Sequence, residues 1–132
     1  MKRYWSRLLA LVLVVTIGLM GCSSSRDSLT GDYPQDTLAV VNIMKQALEV
    51  TEDSPNKAAI EAEARQKISD FSARYQRVKS VSGLSSFTTM RTALNSLAGH
   101  YSSYPNRPVP QKLKNRLEEE LQRVESAVKR GA

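Results

Sequence analysis

Few side chains in this sequence have a type and spacing suited to chemistry. There is one histidine, His100, and one cysteine, Cys22. A zinc site takes three or four nitrogen, sulfur or carboxylate ligands, so no histidine–cysteine metal cluster can be assembled from them. A single cysteine also rules out a disulfide within the chain. No serine lies in a G-x-S-x-G turn, and the six glycines are scattered rather than gathered into a phosphate loop. Glu118, Glu119 and Glu120 are consecutive. On a helix, neighbours point about 100° apart, so they make no acid–base pair. No Glu-x-x-His pair is present to hold haem or di-iron in a bundle. The expectation is a non-enzyme with no catalytic residues, no metal and no cofactor.

What remains is recognition chemistry, concentrated in Ser82–Pro110. His100, Tyr101, Tyr104, Asn106 and Arg107 fall within a few residues of Pro105, Pro108 and Pro110. Tyrosine and arginine bury area while keeping a polar handle, and a proline-rich connector presents them at small entropic cost. His100 in such a place is also a candidate for a protonation-sensitive contact. Upstream, Arg91 and Asn95 lie on the polar side of the same stretch. The expected partner-binding residues are therefore Arg91, Asn95, His100, Tyr104, Asn106 and Arg107.

Helices must position them. Phe87, Met90, Leu94, Leu97 and Tyr101 recur at three, four, three and four, one stripe of a helix over about 87–101. Gly99 inside it suggests a close neighbour or an early helix end, and Ser85 or Ser86 is placed to cap it. A first helix is expected over Tyr33–Glu49. Asp32 and Gln35 have capping-box spacing there, and Val40, Val41, Met44, Ala47 and Leu48 share a face widened by Leu38 and Ile43. A second is expected over Pro55–Val78, capped by Ser54, with Ala64, Ile68, Phe71, Tyr75 and Val78 as a heptad-like seam. Its mixed charges, Arg65 among them, read as a solvated face. A last helix starts near Pro110, with Leu113, Leu117, Leu121, Val124 and Val128 inward and Gly131 as terminator. No stretch alternates like a strand. The expected fold is all-α, a single up-down-up-down four-helix bundle over 32–132.

The N-terminus has another purpose. Lys2, Arg3 and Arg7 precede an apolar run from Leu8 to Met20, followed by Gly21-Cys22. This is the plan of a lipoprotein signal, cleaved after residue 21, with Cys22 as the site of lipidation. Thirteen apolar residues reach only about 20 Å, short of the ~30 Å that a retained membrane anchor needs. Residues 22–31 read as a flexible tether. Losing three basic residues with the signal leaves 16 against 13 acidic, so +6 becomes +3. That weak basicity, in an exported protein, argues against nucleic acid as a partner.

Several long pieces then carry a resemblance: SFTTM, TALNSLAGHY and YPNRP between Gly83 and Pro110, LTGDYPQDT at Leu29–Thr37, DSPN at Asp53–Asn56, and EARQKISDF in the second helix. Together they resemble the photosystem II assembly and repair lipoproteins of cyanobacteria and chloroplasts, over about Leu29–Arg130. The resemblance implies a four-helix bundle held by lipid on the luminal face of the thylakoid membrane. It implies a partner, immature or damaged photosystem II, met on the luminal domain of an inner-antenna chlorophyll-binding subunit. It also implies a role: keeping the extrinsic subunits off while the manganese–calcium–oxygen cluster is assembled, without catalysis and without binding chlorophyll or manganese. The competing readings are a generic envelope lipoprotein serving as an adaptor, and a small-ligand carrier using the bundle interior.

Overall fold

The structure, a computed structural model, describes residues 29–105 and 107–132. Cys22, the signal and most of the expected tether lie outside these residues, as does Asn106. Among the described residues every regular element is helical: α1 Tyr33–Glu49, α2 Lys57–Tyr75, α3 Lys79–Ser82, α4 Ser85–Ser103 and α5 Gln111–Lys129. The expected count of four becomes five, because the break before α4 winds into a one-turn helix. Of the long helices, α4 packs on α5, α5 on α1 and α1 on α2, while α2 and α4 meet along a sparser seam.

The expected stripes make the core. Val40, Val41, Met44 and Leu48 of α1 join Ile68, Phe71 and Tyr75 of α2. Met90, Leu94 and Leu97 of α4 meet Leu117, Leu121 and Val124 of α5 in the same cluster. The broad stripe of α1 has its reason: Ile43 and Ala47 face a second small cluster with Ala64. Val78 departs from expectation. Its backbone is extended (φ −86°, ψ 108°), which ends the seam at Tyr75, turns Val78 outward to 36% exposure and lets Val81 enter the core instead.

The helix ends differ more from expectation than the stripes do. Asp32 holds the N-cap position of α1 but makes no side-chain cap bond, so the capping box is not formed. Asp36 serves that end instead. Its Oδ1 accepts from the Thr30 N–H and hydroxyl, both at 2.7 Å, and its Oδ2 accepts from the Gly31 N–H at 3.0 Å and the Tyr75 hydroxyl. With Leu29 buried as well, residues 29–31 are part of the folded unit. Burial alone would raise the Asp36 pKa, but hydrogen bonds from Tyr75, Thr30 and Gly31 outweigh it and hold the carboxyl below its ordinary 3.8.

At α2 the cap is Asn56, not Ser54, whose hydroxyl instead accepts the Asn56 N–H at 3.3 Å. Neither Ser85 nor Ser86 caps α4; Leu84 holds that position, and buried Ser86 pairs with the Tyr33 hydroxyl at 2.8 Å. On the outer face of α4, Thr88, Thr92 and Ser96 bond back to the carbonyls four residues earlier, which accommodates these weak helix formers. Gly131 closes α5 with φ +76°, its N–H on the Val128 carbonyl and that of Ala132 on Ala127. This is the glycine-dependent Schellman ending.

Gly99 marks neither a close approach nor a helix end. The helix continues to Ser103, and a Cβ at 99 would meet nothing within 4 Å. Gly99→Ala is expected to raise stability by about 0.5–1 kcal/mol, since alanine loses less backbone entropy in a helix. Urea denaturation followed by far-ultraviolet dichroism checks this; a loss of stability would show that the position is not open.

Candidate docking surface

The corner after α4 is folded by its own backbone. The Tyr104 N–H donates to the His100 carbonyl at 2.8 Å, and the Arg107 N–H to the Tyr104 carbonyl at 3.2 Å. His100 is buried, and its Nε2 lies 3.2 Å from the Arg107 carbonyl, a pure acceptor, which places a proton on Nε2. The Tyr104 ring lies 5.6 Å from the His100 ring, and the Arg107 guanidinium 5.8 Å over Tyr104. The three therefore form a ladder from inside to outside. His100 fixes the loop, while Tyr104, 50% exposed, and the exposed Arg107 meet solvent.

Arg91 and Asn95 stand apart from this corner. Both are exposed and one turn apart on α4. Nine residues of helix, about 13 Å, separate Arg91 from His100. Arg91 and Asn95 line a hollow of about 120 Å³ at the α2–α4 seam. Phe71, Phe87 and Leu94 form its apolar wall, with Ser72 and Gln76 opposite. The six expected residues thus divide between a seam and a corner, with Asn106 outside the described set.

A second hollow, about 440 Å³, lies farther along α2 and α4. It is lined by Arg65, Ile68 and Ser69 from α2 and by Ala98, Tyr101 and Ser102 from α4. The Arg65 guanidinium sits 4.8 Å over the Tyr101 ring. The Tyr101 hydroxyl is buried without a hydrogen-bond partner among the described residues. Its pKa is pushed up to about 12, first by burial and then by the Glu61 charge, with Arg65 acting in the opposite direction. It is a protonated donor at neutral pH.

The α2 side of this seam is hidden in the sequence, where Arg65 belongs to a mixed-charge face and Tyr101 to an apolar stripe. A signal existed: Arg65, Ser69, Ser72 and Gln76 each follow a core residue of the heptad by one position. Among the described residues no group of three or more His, Cys, Asp or Glu could hold a metal ion, and no helix is long and apolar enough to cross a membrane. The surface can offer cations, hydroxyls, amides and aromatic edges around apolar hollows, which is chemistry for docking.

Comparison with known proteins adds the decisive finding. The model of the Photosystem II Pbs27 family matches residues 12–128. The chain belongs to that family. It is 53% identical over 132 residues to the photosystem II assembly factor lipoprotein Psb27 of Thermosynechococcus vestitus, covering all of this chain and 98% of that protein. It is 37% identical over 101 residues to the chloroplastic photosystem II repair protein PSB27-H1 of Arabidopsis thaliana, covering 76% of this chain and 58% of that protein. The solution structure of Psb27 from cyanobacterial photosystem II superposes with a TM-score of 0.74 at 48% identity, over 80% of this chain and 91% of that one. The Photosystem II Pbs27 match takes in α1 to α4 whole and all but the last residue of α5. Seam and corner therefore both lie within the family's common part.

Proposed function

We propose that this protein is an assembly and repair factor of photosystem II that acts by docking, without catalysis of its own. The observation that carries the reading is family membership along almost the whole chain, with a relative named as an assembly factor at 53% identity. In finer detail, the four long helices act as an up-down-up-down bundle. Lipid on Cys22 holds that bundle at the luminal face of the thylakoid membrane after the first 21 residues are removed. A single lipid anchor confines the domain near the membrane surface and raises its effective concentration there. It meets immature or damaged photosystem II on the luminal domain of an inner-antenna chlorophyll-binding subunit. It keeps extrinsic subunits off while the manganese–calcium–oxygen cluster is built. Arg91, Asn95, His100, Tyr104, Asn106 and Arg107 serve the contact, with Tyr104 and Arg107 as the exposed tip of the corner.

Affinity isolation of the tagged protein from thylakoids tests this. The expected catch is photosystem II lacking its extrinsic subunits, enriched during recovery from strong light and absent from the mature complex. The same tag on Cys22→Ser is expected to leave the membrane fraction and recover much less. A tagged protein that never co-isolates with such complexes, in light or in repair, removes the reading.

A further inference from the structure

We propose that the α2–α4 seam is a docking groove for an acidic segment of a protein partner, held at its two ends by Arg65 and Arg91. This rests on the reading of the protein as a docking factor and names the chemistry of what it takes.

The two hollows belong to one feature. Arg65, Ser69, Ser72 and Gln76 recur along α2 at four, three and four, and Arg91, Asn95, Ala98 and Ser102 along α4 at four, three and four. Each set lies on one helix face, so the hollows follow one seam. Eleven residues of helix give it a length of about 16 Å. The helices pack more sparsely here than at the α1–α2, α1–α5 and α4–α5 seams, and Phe71, Phe87 and Ile68 line the hollows.

Charge selects the occupant. Among the described residues, the only charged ones lining the two hollows are Arg65 and Arg91, and no carboxylate does. No ion pair engages either arginine among the described residues. Glu61 lies near the Arg65 end, where its charge reaches Tyr101; it faces the Lys57 ammonium at 4.0 Å, while Lys57 bonds Glu52 at 2.6 Å. Arginine's fork binds carboxylates in two parallel bonds. The unpartnered Tyr101 hydroxyl adds a donor at the same end as Arg65, and Ser72, Gln76 and Asn95 supply hydrogen bonds between. A concave, apolar-lined groove with cations about 15 Å apart suits a peptide carrying two carboxylates at that spacing, some ten residues apart if helical.

The test uses the full chain and purified photosystem II lacking extrinsic subunits. Wild type, Arg65→Glu/Arg91→Glu, Arg65→Gln/Arg91→Gln and the distant Arg123→Glu are compared for binding and for thermal unfolding. Charge reversal is expected to weaken binding by about 30-fold or more, and neutralisation by less, because repulsion is added to lost pairing. Arg123→Glu should bind within about threefold of wild type and melt like it, while the Arg65/Arg91 variants should stay folded and melt only a few degrees lower, since the side chains are exposed and lose chiefly the contact over Tyr101. Wild-type affinity in the reversed variant overturns the groove and leaves the photosystem II reading standing. A wild type that does not bind overturns both. If the reversed variant loses binding only to phosphatidylglycerol-containing vesicles and still holds the complex, the face meets lipid and the proposal falls.

Discussion

Asp36→Asn is expected to cost about 2–4 kcal/mol of folding stability, because four donors converge on this carboxylate and an amide can accept from only part of them. Asp36 is 1% exposed. All of its partners give protons: the N–H groups of Thr30 and Gly31 and the hydroxyls of Thr30 and Tyr75. An asparagine NH2 would face two of those donors, and the Gly31 N–H cannot reverse its role. Gly31 reaches the carboxylate with φ +95°, a conformation that favours glycine, and a Cβ there would lie 2.8 Å from the Arg74 guanidinium. Tyr75 is held protonated, its pKa raised by burial first and then by the bond to Asp36 and that residue's charge.

The clasp also has an acid limb. The folded pKa of Asp36 lies below its unfolded value of 3.8, so its contribution is whole above that pH and is lost as pH falls through the folded value. Wild type should therefore lose stability more steeply than Asp36→Asn below about pH 4, and the two curves should run parallel above about pH 5. Urea titrations at several pH values read this directly. Equal acid slopes would mean that the carboxylate is not bound as described. Acidification of the surroundings to about pH 5 leaves the clasp charged and closed.

Phe71→Ala should cost about 3–5 kcal/mol, enough to unfold much of the population of a domain near the low end of ordinary stability. The ring is fully buried and is the hub of an aromatic set. Its centroid lies 5.0 Å from Tyr75, 6.2 Å from Tyr33 and 6.3 Å from Phe87, so one side chain joins α1, α2 and α4. α1 and α2 pack closely, whereas α2 and α4 meet along a sparser seam, so the ring counts most there. Phe71→Leu keeps most of the volume and should cost only about 1–2 kcal/mol. It is the variant in which the hollow keeps only the Phe87 ring in its wall while the fold survives. Dichroism against urea checks both; a loss below about 1 kcal/mol for Phe71→Ala would show that the ring is not central to packing.

The helices were legible because burial imposes a 3.6-residue period on sequence. Tyr33–Glu49 has the bounds read from its stripe, and nearly every stripe residue from Val40 to Val128 is buried. N-terminal capping contacts were not legible, since Asp32, Ser54, Ser85 and Ser86 all look like caps and none makes the bond expected, although Gly131 ends α5 as read. Short polar side chains near a turn have several local partners of similar energy, and the surroundings choose among them. Of the expected contact residues, Arg91, Asn95, Tyr104 and Arg107 are exposed, whereas His100 is buried and tied to a backbone carbonyl. Nothing in the local pattern around residue 100 separates those two fates.

Periodicity and the long pieces of resemblance determined by themselves an all-helical protein, its inward stripes and its family. Those are properties of near neighbours along the chain and of shared ancestry. Only the tertiary structure decided that Asp36 clasps Tyr75 across 39 residues, that Ser86 meets Tyr33 across 53, and that Arg65 and Arg91 border one seam. Those depend on which helices lie side by side and how closely. The sum of packing over the whole core sets that arrangement, and no single stretch of sequence contains it.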